Sequence, residues 1–273
     1  MSSAHRSPTT RNDPPRRQLR SLVAVDIGRG HAAGVQAADH DGVLRAGRDL
    51  YTLHAQALAG LAPDLILTQD LCRVCALPSG HVTDALDYLG CRADVLTLDP
   101  HSLEEVLDSV LLVGRRAGVP ERAALLVAGL RARLDVVAAR VAGLRRPRVA
   151  VVEWVDPPFT GGHWVPDLVT AAGGQPVAGQ AGAPSVETSW ARVTGAAPDL
   201  VVVAPCGYHL ADAAEQACAV AAALPGMPVW AIDADGIVVR PGPRLVNGVE
   251  ALAAIIHPRA VPAAPPGAVL RVG

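Results

Sequence analysis

PERAALLVAGLRARLDVVAARVAG, residues 120 to 143, is the stretch on which the fold turns. Pro120 suits a first helical position, where its missing N–H leaves no intrahelical bond unmade. Leu126, Leu130, Leu134, Val137, Val141 and Leu144 recur at spacings of 4, 4, 3, 4 and 3, an apolar stripe along one helix face. No strand signal interrupts it. Such a helix spans roughly 36 Å at 1.5 Å per residue, long for a crossover between neighbouring strands. Either it is a strut between two separate sheets, or it lies on the surface of one continuous sheet.

The segments on both sides are of one kind. LVAVDIG (22–28), DLILTQ (64–69), DVLTL (94–98), RVAVVEW (148–154), DLVVVAP (199–205) and VWAID (229–233) are short apolar runs rich in β-branched residues. Continuous rather than alternating apolar character predicts parallel strands covered on both faces. Helical patterns separate them at 50–61, 81–90, 102–118, 164–174, 210–226 and 243–257. Ser102 followed by Glu105 is a capping-box spacing, and Gly173-Gly174 is a helix stop. Alternating strands and helices mean α/β.

Composition narrows the function classes. Hydrophobic residues make up 50% of the 273 and charged residues 18%, the balance of a globular chain. A formal net charge of −2 gives no electrostatic footprint for nucleic acid or an anionic membrane surface. There is no lysine, which excludes a lysine Schiff base and a phosphate-binding P-loop. The N-terminal MSSAHRSPTTRNDPPRRQLR is polar and basic without an apolar core, and no apolar run long enough to span a membrane follows. The expectation is a cytoplasmic protein without membrane insertion. Its five cysteines are then expected as free thiols.

The candidate site centres on EWVDPPFTGGHWVPDL (153–168), which holds half of the tryptophans and the one phenylalanine of a chain with 3% aromatics. Pro157 and Pro158 stop the strand that ends near Asp156, and a new helix begins after His163 and Trp164. A loop at the carboxyl end of a strand is where open α/β sheets bind ligands. The same residues would also serve as a plug of the lobe base. Cys72 and Cys75 follow the strand DLILTQ at a spacing compatible with zinc, iron or redox chemistry. As a single pair they fit small core thiols equally well. His163 has the chemistry of a metal ligand or of a hydrogen-bonded helix-start residue. Arg240 stands in RPGPR, a loop rigid enough to aim a guanidinium at a ligand or at a neighbouring carboxylate.

PDLILTQDLCRVCAL, LDPHSLEEVLDSV, RVAVVEWVDPPFTGGHWVPDLVTAAGG, DLVVVAPCGYHL and RPGPRLVNGVEALAAIIHP, taken in order across residues 48 to 258, resemble the cobalamin-type substrate-binding proteins of ABC importers. That family carries a rigid helical backbone between two α/β lobes and also binds ferric siderophores and haem. The resemblance implies two Rossmann-like lobes joined by a single long backbone helix, the class III periplasmic-binding-protein-like arrangement. The boundaries expected are a disordered tail at 1–20, an N-terminal lobe at 21–118, the backbone helix at 119–146, a C-terminal lobe at 147–258 and a disordered tail at 259–273.

The resemblance further implies binding without turnover. The ligand would be cobalamin or a related metal chelate (corrinoid, haem or ferric siderophore) held between the lobes. The contacts it implies are Tyr51, Asp70, Cys72, Cys75, Trp154, Asp156, Phe159, His163, Trp164, Tyr208 and Arg240, with Cys72, Cys75 and His163 as candidate metal donors. An ABC permease is the partner implied. The chain departs from the family in a shortened N-terminal lobe that lacks the Pro-Ser-x-Thr-Glu helix used in docking. It departs again at Gly236-Ile237-Val238-Val239, where relatives carry aromatics. The competing reading is a cytoplasmic metal- or thiol-dependent enzyme on the same fold, using Cys72, Cys75 and His163.

Overall fold

The computed structural model describes residues 62–69 and 93–273, together with the backbone of 22–24. Its first sheet is fully parallel, with β1 (Leu22–Ala24), β2 (Leu65–Gln69) and β3 (Asp94–Leu98) in that order. Two helices follow, α1 (Leu103–Arg116) and α2 (Pro120–Val141). The chain then builds a second sheet. Its elements are β4 (Arg148–Val155), β5 (Pro158–Thr160), α3 (Val165–Ala171), β6 (Gln175–Val177), α4 (Trp190–Gly195), β7 (Leu200–Val203), α5 (Leu210–Ala223), β8 (Val229–Ile232), α6 (Ala234–Ile237), α7 (Leu245–Ile256) and β9 (Val269–Arg271). Among the described residues no strand pairing joins the two sheets, so α2 is the strut and not a crossover within one sheet.

In the second sheet β6, β4, β7 and β8 run parallel, and β5 and β9 are antiparallel additions. Continuous apolar runs follow from coverage on both faces. Val149, Val151 and Val202 point toward α3 and α7, while Ala150, Val152, Val201 and Val203 point toward α4 and α5. The chain leaves β4 toward β6 on one side and returns to β7 on the other. The carboxyl ends of β4 and β7 therefore flank the point where strand order reverses, the place where open α/β sheets hold ligands.

Two expectations need correction. The α2 stripe holds at Leu130 and Val137, which are buried, and at Leu134 and Val141, which pack against the core; in the first turns Ala123 and Val127 are buried in place of Leu126, which is exposed, as is Leu144 beyond the helix. Val127 and Leu130 pack with Leu107 of α1 and Val246 of α7, so the face is set by two neighbouring helices and includes a small alanine that a leucine count overlooks. The segment 259–273 is not a disordered tail. Its Val261 is buried, and β9 pairs with β8 in the register Trp230↔Arg271, Ala231↔Leu270 and Ile232↔Val269. Without it β8 would be an open edge with unpaired backbone groups. Short β5, β6, α4 and α6 were absent from the sequence pattern because three to six residues carry no measurable period. The helices expected over 50–61 and 81–90 lie outside the described residues.

The capping box holds in altered form. Ser102 Oγ accepts from the Glu105 N–H at 3.2 Å, but Glu105 accepts from the His101 N–H, one residue further out than the usual reciprocal bond. Arg133 on α2 clamps Glu250 of α7 with bonds of 2.9 and 2.6 Å and reaches Asn247 at 2.6 Å. The corrected stripe makes a direct prediction for urea unfolding. Leu130→Ala will cost about 2–5 kcal/mol, and Leu126→Ala within about 0.5 kcal/mol; equal losses would mean the stripe was assigned to the wrong face.

Candidate functional site

The loop after β4 is held from beneath. Gly161 and Gly162 lie against residues 179–185 so closely that a Cβ on Gly162 would stand 2.3 Å from the Ser185 nitrogen. Gly162 N–H donates to Glu153 Oε1 at 3.0 Å. His163 has φ +47, and its backbone is tied on both sides, N–H to Ala183 O at 2.6 Å and C=O from the Gly182 N–H at 3.0 Å. The Gly-Gly pair therefore exists for close backbone approach. It determines where the next two side chains go.

Trp164 goes inward. It is buried with 5% exposure among Val165, Leu168, Ile237 and Val238, and its indole N–H donates to Val238 O at 2.8 Å. Trp164 is thus corrected from ligand contact to core residue, with its one polar atom satisfied. Ile237 and Val238 are buried in the same cluster, so this stretch forms the packing beneath the rim.

Trp154 goes the other way. At the carboxyl end of β4 it meets Tyr208, from the loop after β7, edge to face with centroids 5.7 Å apart. Such a pair is worth about 0.5–1.5 kcal/mol beyond its buried area. Both rings are half-buried, and the Trp154 indole N–H donates to Asp156 O at 3.1 Å. Phe159 is half-buried beside Trp154 in the β4–β5 register, and Asp156 is exposed. A polar chain continues the rim across the ends of β7 and β8. The Asp235 N–H donates to Tyr208 O at 3.0 Å, and His209 lies between Asp233 at 2.8 Å and Asp235 at 3.6 Å. Arg240 Nε bonds Asp235 at 2.7 Å.

His163 faces a different neighbour. Its ring lies 5.7 Å from that of His101, which follows β3, and 5.8 Å from that of Trp164. Its Nε2 is enclosed, so in this arrangement a bulky chelate has no path to it as an axial donor. Burial first, then the neighbouring His101, pushes its pKa below the ordinary imidazole value, against a smaller opposing pull from Asp99.

Residues 51–231 match the family described as periplasmic binding protein. The chain belongs to the periplasmic binding protein family. Solved structures agree in fold. A periplasmic haem binding protein from Pseudomonas aeruginosa superposes with a TM-score of 0.64 at 22% identity, covering 93% of this chain and 98% of its own. The periplasmic vitamin B12 binding protein of Vibrio cholerae gives 0.58 at 20% identity over 88% and 97%. A possible iron-binding periplasmic solute-binding protein from Staphylococcus epidermidis gives 0.61 at 17% identity over 88% and 100%. No curated protein matches the sequence at a significant level.

For this member of the periplasmic binding protein family, the structure brings Trp154, Asp156, Phe159, Tyr208 and Arg240 to one rim. Arg240 is drawn into an internal ion pair, while Trp164 and His163 turn beneath. Tyr51, Asp70, Cys72 and Cys75 lie outside the described residues. Sequence reading missed His209, Asp233 and Asp235 as a unit. The available signal was the Asp-x-Asp directly after the strand VWAI, facing a histidine directly after APCGY. Among the described residues no helix is long and apolar enough to cross a membrane.

The depressed His163 pKa has a definite consequence for stability. Below the ordinary value of 6.5 the unfolded chain takes up a proton that the folded chain resists, so stability falls as pH drops through and below that point. Urea midpoints at pH 8 and pH 5.5 should therefore separate less in His163→Gln than in the wild type. An unchanged separation would show that His163 is not the group responsible.

Proposed function

We propose that the chain binds a metal chelate of the corrinoid, haem or ferric siderophore class, with cobalamin the first candidate. The observation that carries this reading is the Trp154–Tyr208 ledge at the switch point between the carboxyl ends of β4 and β7. A macrocycle or a siderophore offers broad apolar faces, and burying apolar area yields ~25 cal/mol per Å². Its polar edges would find donors and acceptors in Arg240, Asp235 and His209 around the ledge. Relatives by fold that bind haem or vitamin B12, as their descriptions state, lend the ligand class further support.

Family membership makes an ABC permease the candidate recipient of the ligand. The enzyme alternative gains nothing from the described residues. The nitrogen it needs on His163 is enclosed, and Cys72 and Cys75 are not among them.

Titration with cyanocobalamin, haemin and a ferric siderophore, followed by visible absorbance, tests the reading. One of the three is expected to bind, and Trp154→Ala and Tyr208→Ala should each weaken it by about tenfold or more, equivalent to about 1.4 kcal/mol. Trp164→Ala should instead lower stability by about 3–5 kcal/mol. Binding of none of the three, or equal affinity in the Trp154 and Tyr208 variants, would remove the ledge from the function.

A further inference from the structure

Among the described residues two buried ring nitrogens have no partner, His101 Nδ1 and His163 Nε2. They belong to neighbouring rings whose centroids lie 5.7 Å apart with planes inclined by 36°. Buried polar atoms left unpaired in a native fold call for an explanation, and an ion or water between them is the ordinary one. The surroundings favour an ion. Asp99 Oδ2 lies 3.2 Å from His101 Nε2, so with the proton held there the Nδ1 lone pair is left free. Carboxylate, imidazole and metal in that sequence is how histidine ligands are commonly oriented.

Distance supports the same conclusion. A metal about 2.0–2.1 Å from each nitrogen stands about 3.2 Å from each ring centre, and a centroid separation of 5.7 Å then opens a wide but attainable angle at the metal.

We propose that His101 and His163 form a binding site for a bare divalent transition ion of the zinc class, with Asp99 orienting His101. The enclosure of both nitrogens disfavours a bulky chelate and leaves a bare ion as the metal species small enough to reach them. Among the described residues no third histidine, cysteine or carboxylate converges on the point, so water completes the coordination from the side where Asp99 and His101 are half exposed. The site lies where the turn after β3 meets the loop after β4. The Leu103 N–H already ties the same junction to Asp167 of α3 at 3.0 Å. A bound ion would fasten the first sheet to the second at that junction, away from the Trp154–Tyr208 ledge.

The test uses the full chain carrying Cys72→Ser and Cys75→Ser, so that those thiols contribute no binding. Calorimetric titration with Zn²⁺ and absorbance titration with Co²⁺ are expected to show one ion bound per chain, with no thiolate charge-transfer band. His101→Gln and His163→Gln should each weaken Zn²⁺ binding at least tenfold, and Asp99→Asn by about 10-fold or more. Thermal melts show which variants fold, and His101→Gln, at the more exposed position, serves if His163→Gln does not. Absence of Zn²⁺ binding in the parent, or equal affinity in the folded histidine variants, would overturn the assignment and leave a water between the rings. Chelate titration of the same proteins reports on the ledge separately, because neither histidine belongs to it.

Discussion

The close approach of Gly161 and Gly162 to residues 179–185 is the constraint from which the rest of the site follows. With a Cβ excluded there, the backbone of His163 is pinned between Gly182 and Ala183, and Trp164 has one direction available. It enters the core and gives its N–H to Val238. Trp154, nine residues before His163 and on the strand, is left at the rim with Tyr208. Two tryptophans that look equivalent in sequence thus take opposite roles: one anchors the loop, and the other presents a surface.

That division explains how one short loop joins several parts of the molecule. Below, Trp164 binds α3 to α6 and the segment after it. To the side, His163 touches His101, and Asp167 caps the start of α1, so the loop also reaches the chain leaving the first sheet. Above, Trp154 and Tyr208 span the carboxyl ends of β4 and β7, and the His209–Asp235–Arg240 chain extends this rim past β8. Core packing and the proposed ledge thus draw on residues of the same sixteen-residue stretch.

Much of this was legible in the sequence, and the failures have physical causes. Each of the six apolar runs holds a strand of one of the two sheets, because a strand buried on both faces must be apolar throughout. Pro120 starts α2 as its lack of an N–H predicts. What escaped was the first turns of the α2 stripe and the direction of side chains. The α2 face is fixed by Leu107 and Val246 on other helices, and no count along α2 itself could locate them. The inward turn of Trp164 depends on a steric contact between Gly162 and Ser185, twenty-three residues apart. His209 with Asp233 and Asp235 likewise meet only because β7 and β8 are neighbours. An Ala/Pro-rich end can still supply a short edge strand, as Val269–Arg271 does.

The division of labour between the two indoles can be read in one spectrum. The chain has four tryptophans, so uniform 5-fluorotryptophan labelling gives four fluorine resonances, assignable by single Trp→Phe replacements. On addition of the chelate that binds, the Trp154 signal should shift while the Trp164 signal stays in place and insensitive to solvent isotope exchange. A ligand-induced shift at Trp164 with Trp154 silent would contradict the arrangement described.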